Sequence, residues 1–475
     1  MSEILVSSSP SNREDVVGRF SVADATAVSH AVERARAALP GWRDLGFDGR
    51  SALLRRFRDL AAAPDRVEEL ARLIARETGK ALWDSRGEAK LLAAKVDVTL
   101  NEGIRFVADL DAGAGACATF HPRGVIAVFG PFNFPAHLPN GHIVPALATG
   151  NTVVFKPSDQ TPAVGAWMVD LWRQVGLPDG VIELAQGGED TGRALAIHED
   201  VNAVLFTGSY AVGRALREAT LDQPDKLLAL EMGGNNGIIV LADADLDVAV
   251  AETALSICAS TGQRCTCAGR IFVERAIADE FSDALIHVLE RVRIGDPMDD
   301  GVFMGPLIHE RAADHLAEFR QLAADAGGLR VMLVEPDLPA PFVGPGLVRF
   351  FSSAQPHPYQ REEIFGPEAR LYPVDDLDEA IAAVNDSDYG LAASVMTKSR
   401  SHYERCVGRV RTGLLNWNKS TVGASGKLPF GGGGKSGNHR EAGVLSTLYC
   451  AVPQSHLESD ASFDPASLPP GMPKP

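Results

Sequence analysis

The chain has 475 residues, of which 45% are hydrophobic and 23% are charged, and its formal net charge at pH 7 is −17. This length is sufficient for two or three domains with sizeable cores, and the composition is ordinary for a soluble globular protein. The negative charge argues against nucleic acid or an anionic membrane surface as a general partner. An anionic small-molecule substrate remains compatible with it, because a binding site can be locally basic.

The six cysteines show no regular spacing apart from the Cys265 and Cys267 pair, which argues against a disulfide framework. A reducing cytosol fits this pattern best. The first ten residues lack the basic and apolar regions of a secretory signal, and no apolar run reaches the ~18 residues of a membrane span. We therefore expect a cytoplasmic protein without a membrane partner.

The N-terminal part of the chain has helical periodicity. Apolar residues recur at helical spacing within residues 31–39, 53–60 and 67–74. Turn signals at Pro40-Gly41 and Pro64-Asp65 separate these stripes. We predict mostly helix over residues 24–110, and an N-terminus too short for an opening strand hairpin.

From residue 123 onward, short apolar segments alternate with helical patterns. The predicted strands are 124–129, 152–155, 181–184, 203–206, 227–230, 237–241 and 271–273, and the helices are 162–175, 211–220, 246–261 and 277–292. This alternation predicts βαβ units and parallel sheets, and therefore an α/β fold. Gly233-Gly234 is a plausible crossing point between two domains. We expect a surface loop at 335–346 and a flexible tail at 460–475.

Cys265, in Gly-Gln-Arg-Cys-Thr-Cys, is a candidate thiol nucleophile. The reactive form is the thiolate, and a nearby helix N-terminus would lower the thiol pKa. One alternative is a buried apolar residue, which is the commoner fate of a single cysteine. Another is a zinc ligand, but no further histidine or cysteine outside the pair lies close in sequence, and we predict no metal. We assign Cys267 to packing.

Two further segments carry complementary chemistry. Glu231, in Leu-Glu-Met-Gly-Gly, ends an apolar strand and is a candidate general base for water, since a dry site would raise its pKa. Asn133, in Gly-Pro-Phe-Asn-Phe-Pro, lies in a stiff segment and is a candidate oxyanion donor. In isolation, Glu231 would more often be a surface residue and Asn133 part of a local turn. Together with Cys265, they suit attack on a carbonyl followed by hydrolysis.

A cofactor site is also indicated at the ends of predicted strands. The candidate residues are Lys156, Ser158, Asp159, Gly208, Ser209, Gly213, Glu363 and Phe365. A cation and an acceptor after a strand can bind a ribose or phosphate, and backbone N–H groups at a helix start can bind a pyrophosphate. Each segment alone is a weak signal, and the GxGxxG fingerprint is absent.

These motifs, in this order, resemble the NAD(P)-dependent aldehyde dehydrogenase family from about residue 20 to about residue 455. The resemblance implies that Cys265 is the nucleophile, that Glu231 activates water and that Asn133 helps to form the oxyanion hole. It also implies that Lys156 and Glu363 bind the riboses, Ser209 the pyrophosphate, and that Phe365 packs near the nicotinamide.

The resemblance is strongest to the branch that oxidises N-succinylglutamate 5-semialdehyde in bacterial arginine catabolism. Long shared phrases carry it, at 127–135, 137–147, 229–236, 262–268, 416–419 and 436–440. The implied architecture has a Rossmann-like NAD-binding domain, a catalytic α/β domain and a small β oligomerisation arm. The implied bounds are 1–107 with 124–233, then 234–435, then 108–123 with 448–456. A homodimer or homotetramer follows from such an arm.

The expected reaction is oxidation of an anionic semialdehyde to a carboxylate, with NAD preferred over NADP because Asp159 would repel a 2′-phosphate. The cations that could bind substrate carboxylates are Arg264, Lys419, Lys427, Lys435 and Arg440, although most single surface charges are merely solvated. Three alternatives remain open at this point. They are a related enzyme for glutamate semialdehyde or a neutral aldehyde, a cysteine hydrolase without cofactor, and a non-catalytic homologue.

Overall fold

A computed structural model describes residues 3–459 and 468–474. Its first elements are strands β1 (Ile4–Ser9) and β2 (Asn12–Ser21), which pair antiparallel. The prediction of an N-terminus without an opening hairpin is therefore wrong. The serine-rich run that ends β1 is typical of a loop, and only its contacts with the rest of the chain make it a strand.

Those contacts are made to the third helix. Ser7 Oγ donates a 2.6 Å hydrogen bond to the buried carboxylate of Glu77, and Arg76 pairs with Asp15. Because the partners lie far apart in sequence, local patterns do not reveal the hairpin.

Four helices follow the hairpin. They are α1 (Ala25–Asp44), α2 (Gly46–Ala61), α3 (Pro64–Thr78) and α4 (Leu82–Asn101). The turn predicted at Pro40-Gly41 is wrong, since α1 continues through both residues. Buried Trp42 stabilises this last turn by donating from Nε1 to the carbonyl of Leu147 at 3.2 Å. Pro64 opens α3, where a missing backbone N–H costs nothing.

A hairpin and then a five-stranded sheet come next. The strands are β3 (Leu110–Gly113), β4 (Ala116–Pro122), β5 (Val125–Phe129), β6 (Thr152–Lys156), β7 (Ile182–Leu184), β8 (Val201–Thr207) and β9 (Leu227–Glu231). The helices are α5 (His137–Ala148), α6 (Pro162–Gln174), α7 (Glu189–Ile197) and α8 (Tyr210–Ala219). Strands β5–β9 form a parallel sheet in the order β7-β6-β5-β8-β9. The order reverses between β5 and β8, which creates a crevice at their carboxyl ends.

A seven-stranded sheet occupies the following part of the chain. Its region contains β10 (Asn236–Val240), α9 (Leu246–Cys258), β11 (Ala268–Glu274), α10 (Ala278–Leu289), α11 (Glu310–Asp325), β12 (Leu329–Leu333), β13 (Gly346–Arg349), α12 (Pro358–Arg361), β14 (Glu368–Val374), α13 (Leu377–Asn385), β15 (Tyr389–Gly390), β16 (Ala392–Met396), α14 (Arg400–Cys406) and β17 (Leu414–Trp417). The strand order is β12-β13-β14-β11-β10-β16-β17, and only the β12–β13 pair is antiparallel. The predicted parallel α/β sheets are confirmed.

The last elements are β18 (Pro429–Phe430), β19 (Gly433–Gly434), β20 (Ala442–Gly443), α15 (Ser446–Cys450) and β21 (Ala451–Leu457). Strand β21 pairs with β4, which pairs with β3, in a separate three-stranded sheet. The arm strand predicted from residue 448 starts at 451, because α15 occupies the preceding turn. Of the predicted tail, residues 460–467 and 475 lie outside the described residues. None of the described helices is long and apolar enough to cross a membrane.

Candidate active site

The backbone crosses from the five-stranded to the seven-stranded sheet at Gly233-Gly234, between the end of β9 and the start of β10. A Cβ atom on Gly233 would overlap the carboxylate of Glu363, and one on Gly234 would overlap the carbonyl oxygen of Cys265. The Gly234 N–H also donates to Glu363 Oε1 at 2.8 Å. The two glycines thus allow both functional segments to contact the crossing.

Asn236, at the start of β10, fixes the cysteine loop. Its Nδ2 donates to the carbonyls of Cys265 and Cys267, both at 2.7 Å, and its Oδ1 accepts from the Ala392 N–H at 2.9 Å. Sequence reasoning assigned Asn236 no role in the site. Asn236 is separated from the paired glycines by Asn235, and its partners come from distant segments, so no local pattern points to its role.

The Asn133 segment reaches the same loop from the carboxyl end of β5. Buried Asn133 donates from Nδ2 to the carbonyl of Gln263 at 2.8 Å. Since a side-chain amide carries two N–H donors, the second remains for an oxyanion near Cys265. The neighbouring Phe132 ring meets Phe365 edge-on, with centroids 5.9 Å apart. The structure therefore brings the predicted trio together with Phe365.

Glu231 is a buried carboxylic acid beside this loop. Burial and the charge of Glu441 raise the pKa of Glu231 well above its usual value, while a backbone hydrogen bond from Ala442 opposes the shift. Its Oε2 has no hydrogen-bond partner among the described residues. A free oxygen on a group that holds its proton readily is suited to accept a proton from water.

Two buried polar side chains lie next to this base and were not predicted as part of the site. His142 Nδ1 is 2.8 Å from the hydroxyl of Tyr449, and His142 Nε2 is 3.3 Å from Oγ1 of Thr207, which is paired in register with Glu231. Burial lowers the pKa of His142 to about 3 and raises that of Tyr449 well above its usual value. Both groups therefore stay uncharged at neutral pH.

Cys265 lies in a turn between a short 3-10 segment and β11, and not in the first turn of a helix. Burial, reinforced by the carboxylates of Glu363 and Glu231, raises the pKa of the Cys265 thiol far above its usual value, and Arg264 only partly opposes this. The thiol is therefore protonated at neutral pH in this environment. The same two carboxylates are close enough to influence the thiol and are candidates to accept its proton.

The predicted cofactor residues follow strands of the five-stranded sheet. Lys156 ends β6, and among residues 3–459 and 468–474 its buried ammonium donates only to the Pro157 carbonyl, at 3.2 Å. Burial lowers the pKa of Lys156. An ammonium has three donors, so this one fits the hydroxyl groups of a ribose. Half-buried Asp159 lies close by, with Oδ1 3.4 Å from Ser158 Oγ.

The start of α8 completes this side. Ser209 caps α8 by accepting from the Val212 N–H at 3.3 Å. Gly208 and Gly213 permit close packing, because a Cβ on either would overlap Phe206 or Met232. Free N–H groups at a helix start suit a pyrophosphate. The residues present therefore fit a nicotinamide dinucleotide.

Most of the predicted substrate cations are already paired. Arg264 is only 14% exposed and binds Asp84 at 2.7 Å. Lys435 lies 3.1 Å from Asp388 and Lys419 lies 3.9 Å from Glu252. Lys427 and Arg440 are exposed and have no carboxylate partner within the described part of the chain.

Residues 2–452 match the aldehyde dehydrogenase family. The chain belongs to this family. Members of this family oxidise aldehydes with NAD or NADP, and the protein is therefore an enzyme. The family resemblance and the fold expected from the sequence are confirmed.

The chain is 43% identical over 456 residues to an N-succinylglutamate 5-semialdehyde dehydrogenase of Chromobacterium violaceum, which covers 95% of this chain and 93% of that relative. Among solved structures, an NADP-dependent enzyme of E. coli has a TM-score of 0.90 and 31% identity, covering 95% and 94% of the two chains. An NAD-dependent aldehyde dehydrogenase of Sinorhizobium meliloti has a TM-score of 0.90 and 29% identity, covering 97% and 93%.

The charge of Glu363 should control the reactivity of Cys265. Glu363→Gln keeps an acceptor for the Gly234 N–H but removes a carboxylate that disfavours the thiolate. We expect the pH profile of Cys265 alkylation by iodoacetamide to move down by about one pH unit. Because burial raises the pKa of Glu363 to about 8, the acceleration should be largest above pH 8. Alkylation is followed at Cys265 by mass spectrometry.

The matched control is Glu362→Gln, which removes the adjacent carboxylate on the exposed side, where it pairs with Lys435. Its profile should stay at the wild-type position. An unchanged profile in Glu363→Gln would mean that this carboxylate does not govern the thiol.

Proposed function

We propose that this enzyme oxidises N-succinyl-L-glutamate 5-semialdehyde to N-succinyl-L-glutamate, with NAD as the oxidant. The observation that carries the chemistry is the convergence of Asn133, Glu231 and Cys265 around the glycine crossing. The substrate is supported by the 43% identity to the Chromobacterium violaceum relative. Because this similarity covers nearly the whole chain, it includes the substrate-binding segments as well as the catalytic motifs.

In the first half of the proposed mechanism, the Cys265 thiol transfers its proton to a neighbouring carboxylate. The thiolate sulfur then bonds to the aldehyde carbon. The second N–H of Asn133 stabilises the oxyanion that forms. NAD held beside Lys156 and the start of α8 would supply the acceptor for the hydride that leaves the carbon as the carbonyl re-forms. An acyl thioester on Cys265 is left.

In the second half, Glu231 removes a proton from water, and the hydroxide attacks the thioester carbonyl. The carbon–sulfur bond breaks, the carboxylic acid leaves and the thiol is restored. A relative that passes its acyl group to coenzyme A would not need this base. The buried Glu231, with one oxygen free, therefore favours hydrolysis over acyl transfer to a thiol cofactor.

Replacing the base should stop the second half only. Glu231→Gln should form the thioester once per active site and then hydrolyse it 10²–10⁴-fold more slowly, since Gln cannot accept a proton. Rapid mixing should show a burst of reduced cofactor equal to the site concentration. The burst is measured with Cys265→Ala as the blank. Wild-type steady-state turnover in Glu231→Gln would remove Glu231 from this role.

The substrate is tested by reduced-cofactor formation with N-succinylglutamate 5-semialdehyde, glutamate semialdehyde and a neutral aliphatic aldehyde. We expect the largest kcat/KM for the succinylated compound, and loss of activity in Cys265→Ala. Activity on another aldehyde alone would contradict the substrate but keep the mechanism. Turnover without cofactor would point to a cysteine hydrolase, and inactivity on every aldehyde to a non-catalytic homologue.

Asp159 should set the cofactor preference. A carboxylate beside the adenosine ribose accepts from its hydroxyls and repels a 2′-phosphate. We expect Asp159→Asn to lower the ratio of kcat/KM for NAD over NADP by about tenfold, which corresponds to ~1.4 kcal/mol. Asp179→Asn, an exposed turn residue after α6, is the control. An unchanged ratio would show that Asp159 does not discriminate between the cofactors.

We also propose assembly as a homodimer or homotetramer through the three-stranded arm sheet. All four residues of its edge strand β3 are exposed, and so is most of β21. Exposed strand edges readily pair with another chain. The same reasoning supports the predicted arm, 108–123 and 448–456, because its strands β3, β4 and β21 pair with one another in a separate sheet.

A further inference from the structure

Behind the cysteine loop, three buried or nearly buried side chains form a closed hydrogen-bonded cluster. Asp84, on α4, accepts from Ser260 Oγ at 2.6 Å with one oxygen and from Arg264 Nη2 at 2.7 Å with the other. Arg264 Nε donates to the same Ser260 oxygen at 2.9 Å. These three hydrogen bonds link the three side chains in a closed ring, which fixes their relative positions. None of these contacts belongs to the proposed reaction steps.

The backbone that this cluster holds is strained. Ser260, Thr261 and Gly262 have φ values of +50°, +56° and +72°, so three consecutive residues are left-handed. For a residue with a side chain this conformation is unfavourable, and it persists only where surrounding contacts enforce it. Asp84 supplies one such contact at Ser260, and the Thr261 hydroxyl supplies another by donating to the Gly305 carbonyl at 2.9 Å.

The direction of the chain into Cys265 depends on this turn. Gly262 packs so tightly against the backbone of Gly366 that a Cβ atom there would overlap it. Gln263, the next residue, accepts from Asn133 through its carbonyl. A relaxed turn would therefore displace Cys265 and its contact with the oxyanion donor together.

The same face of α4 also holds the Asn133 segment. Glu88, one turn after Asp84, accepts from the backbone N–H groups of Ala136 and His137 at 2.9 and 3.0 Å. Glu88 also pairs with buried Lys80 at 2.6 Å. Positions four apart on a helix lie on one face. Two carboxylates of one helix thus hold the two loops that form the site.

Phe134 links the two halves. Lys80 Nζ lies 3.5 Å from the centre of its ring, and Arg264 Cζ lies 4.9 Å from it. The ring next to Asn133 is therefore in contact with two cations, each fixed by a carboxylate of α4. Burial opposes ionisation of Asp84, but the charges of Lys80 and Arg264 hold its pKa below the usual value.

We propose that Asp84 is a positioning residue for the nucleophile: it holds Ser260 and Arg264 so that Cys265 stays in register with the Asn133 amide. This inference rests on the proposed roles of Cys265 and Asn133. It also removes Arg264 from the residues available to bind substrate, because its guanidinium is committed to Asp84 and Ser260.

The test is Asp84→Asn, which keeps the size of the side chain and removes the charge that holds Arg264. We expect kcat for reduced-cofactor formation to fall by about 10–100-fold, since a small misplacement of reacting groups has effects of this size. KM for NAD should change less than about twofold, because the cluster lies away from the cofactor residues. With Arg264 released, the pH profile of Cys265 alkylation should move to higher pH.

The control is Glu77→Gln, a buried carboxylate on α3 that binds Ser7 and the N–H groups of Ala163 and Val164. It should lower the melting temperature but leave kcat per folded molecule and the alkylation profile at wild-type values. If Asp84→Asn does not fold, Ser260→Ala removes only the hydroxyl and should shift both readouts in the same direction by a smaller amount.

The outcomes separate this inference from the proposed function. An inactive Cys265→Ala together with wild-type kcat and alkylation profile in Asp84→Asn, or in Ser260→Ala if it replaces it, would overturn the positioning role alone. The same holds if the variant loses activity only in proportion to its folded fraction, as expected of Glu77→Gln. Wild-type turnover in Cys265→Ala would overturn the proposed nucleophile and the inference with it.

Discussion

The close approach of three segments at Gly233 and Gly234 is the constraint on which the site depends. One sheet contributes its carboxyl end, where Glu231 ends β9, and the other its amino end, where Cys265 precedes β11 and Glu363 precedes β14. A side chain at either glycine would overlap Glu363 or the carbonyl of Cys265. The absence of Cβ atoms at these glycines therefore allows Glu231, Cys265 and Glu363 to lie close together.

This crowding has an electrostatic consequence. Burial raises the pKa of Glu231, Glu363 and Cys265 alike, and each carboxylate opposes ionisation of the thiol. Burying an unpaired charge is costly, so this environment disfavours ionisation of the thiol. The cations Lys80 and Arg264 lie against the ring of Phe134 and are paired with Glu88 and Asp84. The proposed reaction therefore requires transfer of the Cys265 proton to Glu231 or Glu363 rather than a preformed thiolate.

The parts that the sequence predicted are those with local signals. Buried parallel strands such as Thr152–Lys156 are nearly continuous apolar runs. The candidate catalytic motifs are short contiguous segments. Both could therefore be predicted from the sequence alone. Asn236, His142 and Asp84 carry no such signal, because each acts through partners far away in the chain. The missed N-terminal hairpin has the same cause. The raised pKa of Cys265 could not be predicted either, because the carboxylates of Glu363 and Glu231 come close to the thiol only in the folded chain.

The proposed substrate is an anionic semialdehyde, which has to bind to a chain that is itself negatively charged. With a net charge of −17, its long-range field repels an anion, so attraction must come from cations within about 8–10 Å, the screening length at cellular salt. Position next to Cys265 suggested Arg264 for this purpose, but Asp84 neutralises it. Lys427 and Arg440 are the cations of the predicted set that remain exposed and without a carboxylate partner in the described residues. Under the proposed function, binding of the succinylated substrate therefore has to use cations other than Arg264, because Glu231 and Glu363 lie near the Cys265 thiol.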